Sequence, residues 1–331
     1  MAVMPDDTST PLTVTRSELW LEDGNIVLQA EDTQFKVHRS MLSRHSSVFR
    51  DMFMVPQPSI PNGDVVDSCA VVELSDSSED LTHALRALYD RWYVVCSLPP
   101  SAEDDVSCFA LGPHSYMGLA ESAPLLVVAS FLRIGRKYNI QALQAEGRRR
   151  LFAKAPITLD EYTSKPVWQF EAPIEAWFMI LDLAREFEVR SVLPVAMYES
   201  CRILHGFDYD EKVIAGLSLD SQLECYRRVN HLIHMSKTIT YEWCSTGAHA
   251  SCLAREACQI TRNKVLQNLS RAAPNLEGLR TWDQLWSDGL CFFCALQAQQ
   301  QHVRSRQLFW SNLPNWFGLS SWEELRQERE S

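Results

Sequence analysis

The pattern of apolar and polar positions near the start of the chain predicts a hairpin followed by a helix. Residues 25–30 and 34–38 are short strand-like runs, and the polar residues 31–33 between them suit a hairpin turn. Apolar side chains at helical spacing then extend over residues 41–53, where Ser46 is placed to cap the second half of the helix. This part of the chain therefore combines strand and helix.

A further strand and helix follow. Residues 70–74 predict a strand, and behind it Ser77 and Asp80 form the S-x-x-D pattern that satisfies the first free amides of a helix. The apolar residues of that helix fall on one face, namely Leu81, Ala84, Leu85, Leu88 and Tyr89. Residues 56–68, with Pro, Asn, Gly and Asp, and residues 91–123, with two adjacent prolines and an acidic run, look like insertions.

Beyond residues 156–173 the chain is almost wholly helical. Two apolar stripes recur there, one made by Ile174, Trp177, Phe178, Leu181 and Ala184 and the other by Leu193, Ala196, Met197, Cys201 and Leu204. A third helix runs through Leu223, Tyr226 and Leu232. The order of elements predicts an α+β domain followed by an all-α region.

The C-terminal tail is aromatic. Its large side chains are Trp310, Trp316, Phe317 and Trp322. We interpret them as packing over the preceding helices, with Ser320 and Glu323 as a capping box for the last helix. The alternative is an exposed aromatic docking patch, which would form a large apolar surface.

Composition and charge narrow the class of protein. Hydrophobic residues make up 46% and charged residues 22% of the 331, which is ordinary globular composition. The net charge of −11 makes nucleic-acid binding through a broad basic face unfavourable.

The N-terminal segment and the longest apolar run bear on the location of the protein. The polar, acidic N-terminus lacks a signal-peptide pattern, and the longest apolar run, residues 125–132, is too short to span a bilayer. We expect a cytoplasmic or nuclear protein without membrane contact, whose ten cysteines stay reduced.

Two cysteine pairs in the helical region suggest a structural metal site. Cys291 and Cys294 form a C-x-x-C pair, and Cys244 and Cys252 flank a loop that contains glycine. Four thiolates complete the tetrahedral set that a structural zinc ion takes, with each sulfur at about 2.3 Å. We therefore predict zinc bound by these four residues, the alternative being that the cysteines are buried core residues.

His249 and Cys258 are reserve ligands in this interpretation. Cys258 follows Cys252 by six positions, which on one continuous helix would place the two on different faces. The four-cysteine set above therefore leaves Cys258 out.

The N-terminal half resembles the BTB/POZ family. The segment over residues 35–53 matches the family pattern F-x-x-H-x-x-x-L-x-x-x-S-x-x-F-x-x-M-F at Phe35, His38, Leu42, Ser46, Phe49, Met52 and Phe53. Residues 21–30, 71–81 and 88–90 extend the likeness, particularly to the form expanded in mushroom-forming fungi. Those fungal proteins often carry, in this order, a cysteine pair, an A-R-E run, a C-x-x-C pair and a W-x-x-L-P-x-x-F-G-L tail. In this chain the A-R-E run is similar to residues 254–256 and the tail to residues 310–319.

The resemblance implies a domain organisation and a class of function. We expect a mobile leader over residues 1–17, a BTB/POZ-like domain over 18–153 with insertions near 56–68 and 91–123, a linker over 154–172 and a helical region over 173–331. Family membership implies a protein-interaction platform that often self-associates, and some members recruit a cullin-type ubiquitin-ligase scaffold. In those adaptors a Glu usually follows the M-F position, whereas this chain has Met54-Val55-Pro56-Gln57. His38, between a strand and a helix, is expected to be a buried, hydrogen-bonded junction residue.

Catalytic motifs are missing from the sequence. It contains no Walker phosphate loop, no G-x-G-x-x-G turn, no H-E-x-x-H and no G-x-S-x-G elbow. We therefore predict no enzyme activity and a scaffold or adaptor that binds other proteins. The alternatives are a transcription- or chromatin-associated BTB protein, which would need a nucleic-acid-binding module, and a zinc enzyme, which would need an open coordination position.

Overall fold

The computed structural model describes residues 14–55, 65–90, 125–164, 176–205, 217–271 and 276–330. The chain divides into two compact units, residues 1–150 and 151–331. The predicted insertion at 91–123, most of the one at 56–68 and residues 165–172 of the predicted linker lie outside the described residues. Two short elements fall inside segments predicted to lack regular structure. The first strand begins at Thr15, inside the predicted leader over 1–17, and a helix spans Leu159–Ser164, inside the predicted linker over 154–172.

The first unit contains a small five-stranded sheet with helices packed beside it. Its elements are β1 (Thr15–Trp20), β2 (Ile26–Ala30), β3 (Thr33–Val37), α1 (Arg39–His45), α2 (Ser47–Met54), β4 (Val65–Val66), β5 (Cys69–Leu74), α3 (Ser78–Tyr89), α4 (Leu125–Lys137) and α5 (Gln141–Lys154), the last of which continues past residue 150. The strand order is β1-β3-β2-β5-β4, with β1 parallel to β3 and β2 parallel to β5.

The predicted hairpin is confirmed. β2 and β3 pair antiparallel with Ile26 opposite Val37 and Ala30 opposite Thr33, so that Glu31 and Asp32 alone make the turn. Glu31 has a φ of 53°, the left-handed conformation that two-residue hairpin turns require. Alternating buried side chains of this hairpin then form one side of the unit's apolar core.

Two predicted helix caps are also confirmed. The Ser46 hydroxyl accepts a hydrogen bond from the Phe49 amide at 3.0 Å, at the start of α2, and the Ser77 hydroxyl accepts one from the Asp80 amide at 3.1 Å, at the start of α3. The cap at Ser46 divides the predicted helix over 41–53 into α1 and α2.

His38 lies at the junction of β3 and α1, as expected. Its backbone amide donates to the Tyr89 hydroxyl at 2.8 Å, and its Nε2 lies 3.2 Å from Asp23 Oδ2. The hydrogen bond with His38 holds the pKa of the Asp23 carboxyl below its usual value. These contacts make His38 a hydrogen-bonded structural residue, but its side chain is 23% exposed and is therefore not buried as expected.

The second unit is helical throughout its described part. It contains α6 (Leu159–Ser164), α7 (Ala176–Glu186), α8 (Leu193–Leu204), α9 (Leu219–Met235), α10 (Arg255–Arg271), α11 (Phe292–Trp316) and α12 (Trp322–Glu330). Most residues of the predicted stripes of α7 and α8 are buried, including Trp177, Phe178, Leu181, Ala196 and Cys201. Leu193 and Leu204 are half-buried, and Ile174 lies outside the described residues.

The third predicted helix is confirmed as α9, but its apolar residues do not share one buried face. Leu223 and Tyr226 are 49% and 50% exposed, whereas Leu232 is buried. Leu223 and Leu232 are nine positions apart and therefore lie on opposite faces of α9. The face that packs inward presents smaller residues, among them Ser221, Cys225 and Val229.

The aromatic tail is packed, which confirms the first interpretation of it. Trp310 and Trp322 stack with ring centroids 4.7 Å apart, and the Trp322 indole donates to the Trp310 carbonyl at 2.7 Å. Both side chains are buried, as is Phe317. The cap of α12 is Ser321 and not Ser320, because the Ser321 hydroxyl accepts from the Glu324 amide at 3.3 Å.

Candidate metal centre

Four cysteines meet where the loop before α10 approaches the start of α11. Cys252 lies in that loop, Cys258 on the first turn of α10, Cys291 at the N-cap of α11 and Cys294 on its first turn. Their four sulfur atoms all lie within 4.8 Å of one another. The cluster therefore joins a loop and two helix N-termini that are more than thirty residues apart in the sequence.

The sulfur geometry fits a tetrahedral ion. Cys252 Sγ lies 3.7 Å from Cys258 Sγ and 3.7 Å from Cys291 Sγ. Four sulfurs at about 2.3 Å from a central zinc would be about 3.8 Å apart, whereas a disulfide would bring two of them to about 2.05 Å. All four cysteines are free thiols. The site can therefore hold a metal, and its soft donor set suits zinc.

Backbone amides support negative charge at the cluster. The Cys291 amide donates to Cys258 Sγ at 3.2 Å. Amides of Cys294 and Leu253 lower the pKa of the Cys291 thiol to about 6. Burial and the neighbouring thiols raise the pKa of Cys252 to about 12, and burial raises the pKa of Cys258 as well. A cation at the centre would offset the repulsion between four thiolates, and a bound metal ion deprotonates its thiol ligands.

The structure gathers three of the four predicted ligands and places Cys258, in place of Cys244, beside them. The expectation that Cys252 and Cys258 occupy different faces of one helix is wrong, because α10 begins at Arg255, after Cys252. Cys258 therefore lies on the first turn of a new helix, and the intervening loop folds Cys252 back toward it. The A-R-E run at 254–256 marks this helix start and could have revealed the arrangement.

Cys244 and His249 are placed elsewhere. Cys244 is buried in a second apolar cluster with Tyr241, Trp243 and Ala298, and burial raises the pKa of its thiol to about 12. This is the environment of a core residue. The His249 ring instead stacks on Phe293, with centroids 5.6 Å apart, and its Nδ1 accepts from the Ser251 amide at 3.0 Å.

The walls of the site are fixed by two polar residues of α10 that sequence reasoning missed. Thr261 donates to the Gly289 carbonyl at 2.7 Å and so holds the segment that leads into Cys291. Arg262 is fully buried and donates to the backbone carbonyls of Trp243 and Thr246. Both residues lie one turn after Cys258, so the ligand and its supports share one rigid element.

In the first unit, the C-terminal end of α2 is an exposed apolar surface. Met54, the last residue of the helix, is 72% exposed, and Val55, its C-cap, is 59% exposed. The opposite face of the same helix is anchored in the core by Phe49, whose ring stacks on Tyr138 at 4.4 Å. An anchored helix with an uncovered apolar end is a suitable contact surface for another protein.

Comparison with known proteins gives one family match. The family model of the BTB/POZ domain matches residues 20–78, the segment from the end of β1 to the first residue of α3. That match points to protein–protein interaction, the general role of such domains. No curated protein and no solved structure matches the chain. Within the described ranges, no helix is both long enough and apolar enough to cross a membrane.

Proposed function

We propose that this protein is a non-enzymatic interaction scaffold, in which the BTB-type unit binds other proteins and a zinc ion stabilises the helical unit. The observation that carries the proposal is the BTB/POZ match over residues 20–78, which covers the helix whose apolar end is exposed. Self-association through this domain is part of the proposal. The proposal also includes membership of the type expanded in mushroom-forming fungi and the domain limits predicted above. It further includes a cytoplasmic or nuclear location, where thiols stay reduced.

A zinc ion in the four-cysteine cluster would be structural. Four thiolates close the tetrahedron and leave no position for the water that a zinc hydrolase activates. The ion would tie the loop at Cys252 to the starts of α10 and α11, two helices joined by a long connection. Closing such a loop stabilises the folded state because it restricts the unfolded chain.

Metal analysis of ligand variants tests the zinc centre. We expect about one zinc ion per purified chain. Cys258→Ser should remove the ion and lower the melting temperature, because only three of the four thiolate ligands would remain to hold it. Cys244→Ala, which leaves all four clustered sulfurs in place, should keep it. Loss of zinc in Cys244→Ala with retention in Cys258→Ser would instead support the ligand set that the sequence predicts.

We propose further that the scaffold is a substrate adaptor for a cullin-type ubiquitin ligase, with the end of α2 in the contact. Met54 and Val55 offer the apolar part of such a contact, although this chain has no Glu directly after them, where Pro56 and Gln57 stand. Affinity purification of the tagged protein from its own cells, followed by mass spectrometry, tests this role. Near-stoichiometric recovery of a cullin would support it, and the other recovered proteins would be candidate substrates.

A charged substitution makes that test specific. Met54→Asp should abolish cullin recovery because it places a carboxylate in an apolar contact. Val65→Asp, at a residue of β4 that is 64% exposed, is the matched control and should leave recovery unchanged. If wild-type protein brings down no cullin, the protein is a scaffold outside the ubiquitin system.

A further inference from the structure

The four clustered cysteines differ in their access to solvent. Cys258 and Cys294 are fully buried, whereas Cys252 and Cys291 are partly exposed at the surface. The sulfur atoms of these two partly exposed residues are direct neighbours, 3.7 Å apart. A small oxidant that reaches the cluster from solvent therefore meets these two sulfurs first.

We propose that Cys252 and Cys291 form a peroxide-reactive thiol pair, whose oxidation to a disulfide releases the metal ion. This inference rests on the proposed zinc centre, because zinc keeps both residues as thiolates at any pH at which it is bound. Reactivity is then decided by access, since the thiolate is the nucleophile and all four ligands are thiolates.

The chemistry is a two-electron oxidation of two thiolates. A sulfur lone pair of one residue attacks a peroxide oxygen, the O–O bond breaks, and hydroxide leaves, which gives a sulfenic acid. The second thiolate attacks that sulfur, the S–S bond forms, and the S–O bond breaks with loss of a second hydroxide. Two thiolates are oxidised and one hydrogen peroxide is reduced to two hydroxide ions. The four-cysteine cluster would then keep only two thiolates, Cys258 and Cys294, and would no longer hold a zinc ion.

Disulfide formation requires a movement of the two sulfurs. They must approach by about 1.7 Å to reach disulfide length. Cys252 lies in the loop before α10 and Cys291 at the N-cap of α11, so neither residue lies within a helix. Cys258 is equally close to Cys252, but it is buried and is held within a helix turn by its amide, which donates to the Ala254 carbonyl at 2.9 Å. Cys291 is therefore the favoured partner of Cys252.

The full-length protein is first assayed for zinc and then titrated with hydrogen peroxide while released zinc is followed with a chelating dye. Non-reducing peptide mapping identifies the disulfide. We expect complete loss of bound zinc together with a Cys252–Cys291 disulfide. The buried thiols of Cys201 and Cys225 are an internal reference and should remain reduced at the same peroxide dose.

Histidine variants separate oxidation from metal binding, because a Cys₃His set still holds structural zinc. Cys291→His should bind zinc but release it to peroxide on the order of tenfold more slowly, since the reactive pair is broken. Cys252→His is a second variant with the same expectation. Cys258→His retains the pair and should release zinc as fast as wild type.

Four outcomes would overturn the inference. Zinc that survives peroxide, or a disulfide between other cysteines, would refute the reactive pair and leave the zinc centre intact. Equal release rates in Cys291→His and Cys258→His would do the same. Absence of zinc before any oxidant is added would refute the centre itself, and the inference with it.

Discussion

The Ser46 hydroxyl shows how much one side chain contributes to the first unit. It accepts from the Phe49 amide and donates to the Tyr138 carbonyl at 2.6 Å, and the residue is fully buried. The sequence predicted the cap, because Ser before a helical run is a local signal. It could not predict the bond to Tyr138, a residue 92 positions away, because that contact depends on how α4 packs.

Ser46→Ala is therefore expected to cost more than the loss of an ordinary helix cap. Removing the hydroxyl leaves two buried backbone groups without their partner, and we expect a loss of about 2–3 kcal/mol in the free energy of unfolding. Ser77→Ala, which removes a cap that is only half-buried, should cost about 1 kcal/mol. Urea denaturation measures both values, and equal losses would contradict this argument.

His302 introduces a pH dependence into the helical unit. Its Nε2 faces the Arg280 carbonyl at 2.9 Å, so this nitrogen carries the proton of the neutral ring, which is enclosed by the rings of Tyr241, Trp282 and Trp286. Burial, together with the nearby guanidinium groups of Arg306 and Arg280, lowers the pKa of His302 to about 4. The folded protein thus resists protonation of this ring.

The sign of the effect follows from the lowered pKa. Between the ordinary pKa of 6.5 and about 4, the unfolded chain binds a proton that the folded chain does not, so stability decreases as the pH falls through this window. The full effect is about 3 kcal/mol. His302→Gln keeps a donor for the carbonyl and should flatten the decrease, whereas His234→Gln, at an exposed site, should not. Identical pH profiles for wild type and His302→Gln would refute the assignment.

At the level of whole elements, the packing of α10 against the segment before α11 requires glycine at position 289. A Cβ added to Gly289 would lie 2.3 Å from Thr261 Oγ1, whereas one added to Gly247 would meet nothing within 4 Å. Because residue 289 lies two positions before Cys291, displacement of this segment would shift a metal ligand.

We therefore expect Gly289→Ala to weaken zinc binding and lower the melting temperature, although it removes no ligand. The variant adds a single methyl group, and the measurement is competition with a chelator of known affinity. Gly247→Ala is the matched control on the neighbouring loop and should behave as wild type. Unchanged zinc affinity in Gly289→Ala would mean that the segment adjusts without moving Cys291.

The predicted elements succeeded where the signals were local and failed where packing decided. The hairpin and the caps at Ser46 and Ser77 depend on neighbouring residues, and the structure confirms them. The buried face of α9 is set by the helices beside it, which favour small residues such as Ser221 over the exposed Leu223. The four-cysteine cluster likewise contains Cys258 instead of Cys244 because α10 begins at Arg255. The spacing of the cysteines in the sequence does not predict where that helix begins.

On the scale of the whole molecule, each unit has its own apolar core. The first is built around the β2–β3 hairpin, α3 and α4. In the second, the cluster of Tyr241, Trp243 and Cys244 lies beside the metal centre and shares α10 and α11 with it. Removal of the proposed zinc ion should therefore reduce the protection of the second core while the first core retains its protection from hydrogen exchange.

Hydrogen exchange measured before and after removal of zinc by a strong chelator tests this division. In the first turns of α10 and α11 we expect amide protection to fall by on the order of tenfold or more, because opening of this region no longer requires release of the ion. Amides of Val27 and Leu28 in β2 should keep their exchange rates and serve as the reference.

Faster exchange throughout both units would show that the ion stabilises the protein globally. No change near Cys258 and Cys294 would show that the four-cysteine centre does not contribute to stability. Restoration of protection by added zinc, but not by added magnesium, would assign the effect to the thiolate site, because magnesium prefers oxygen ligands.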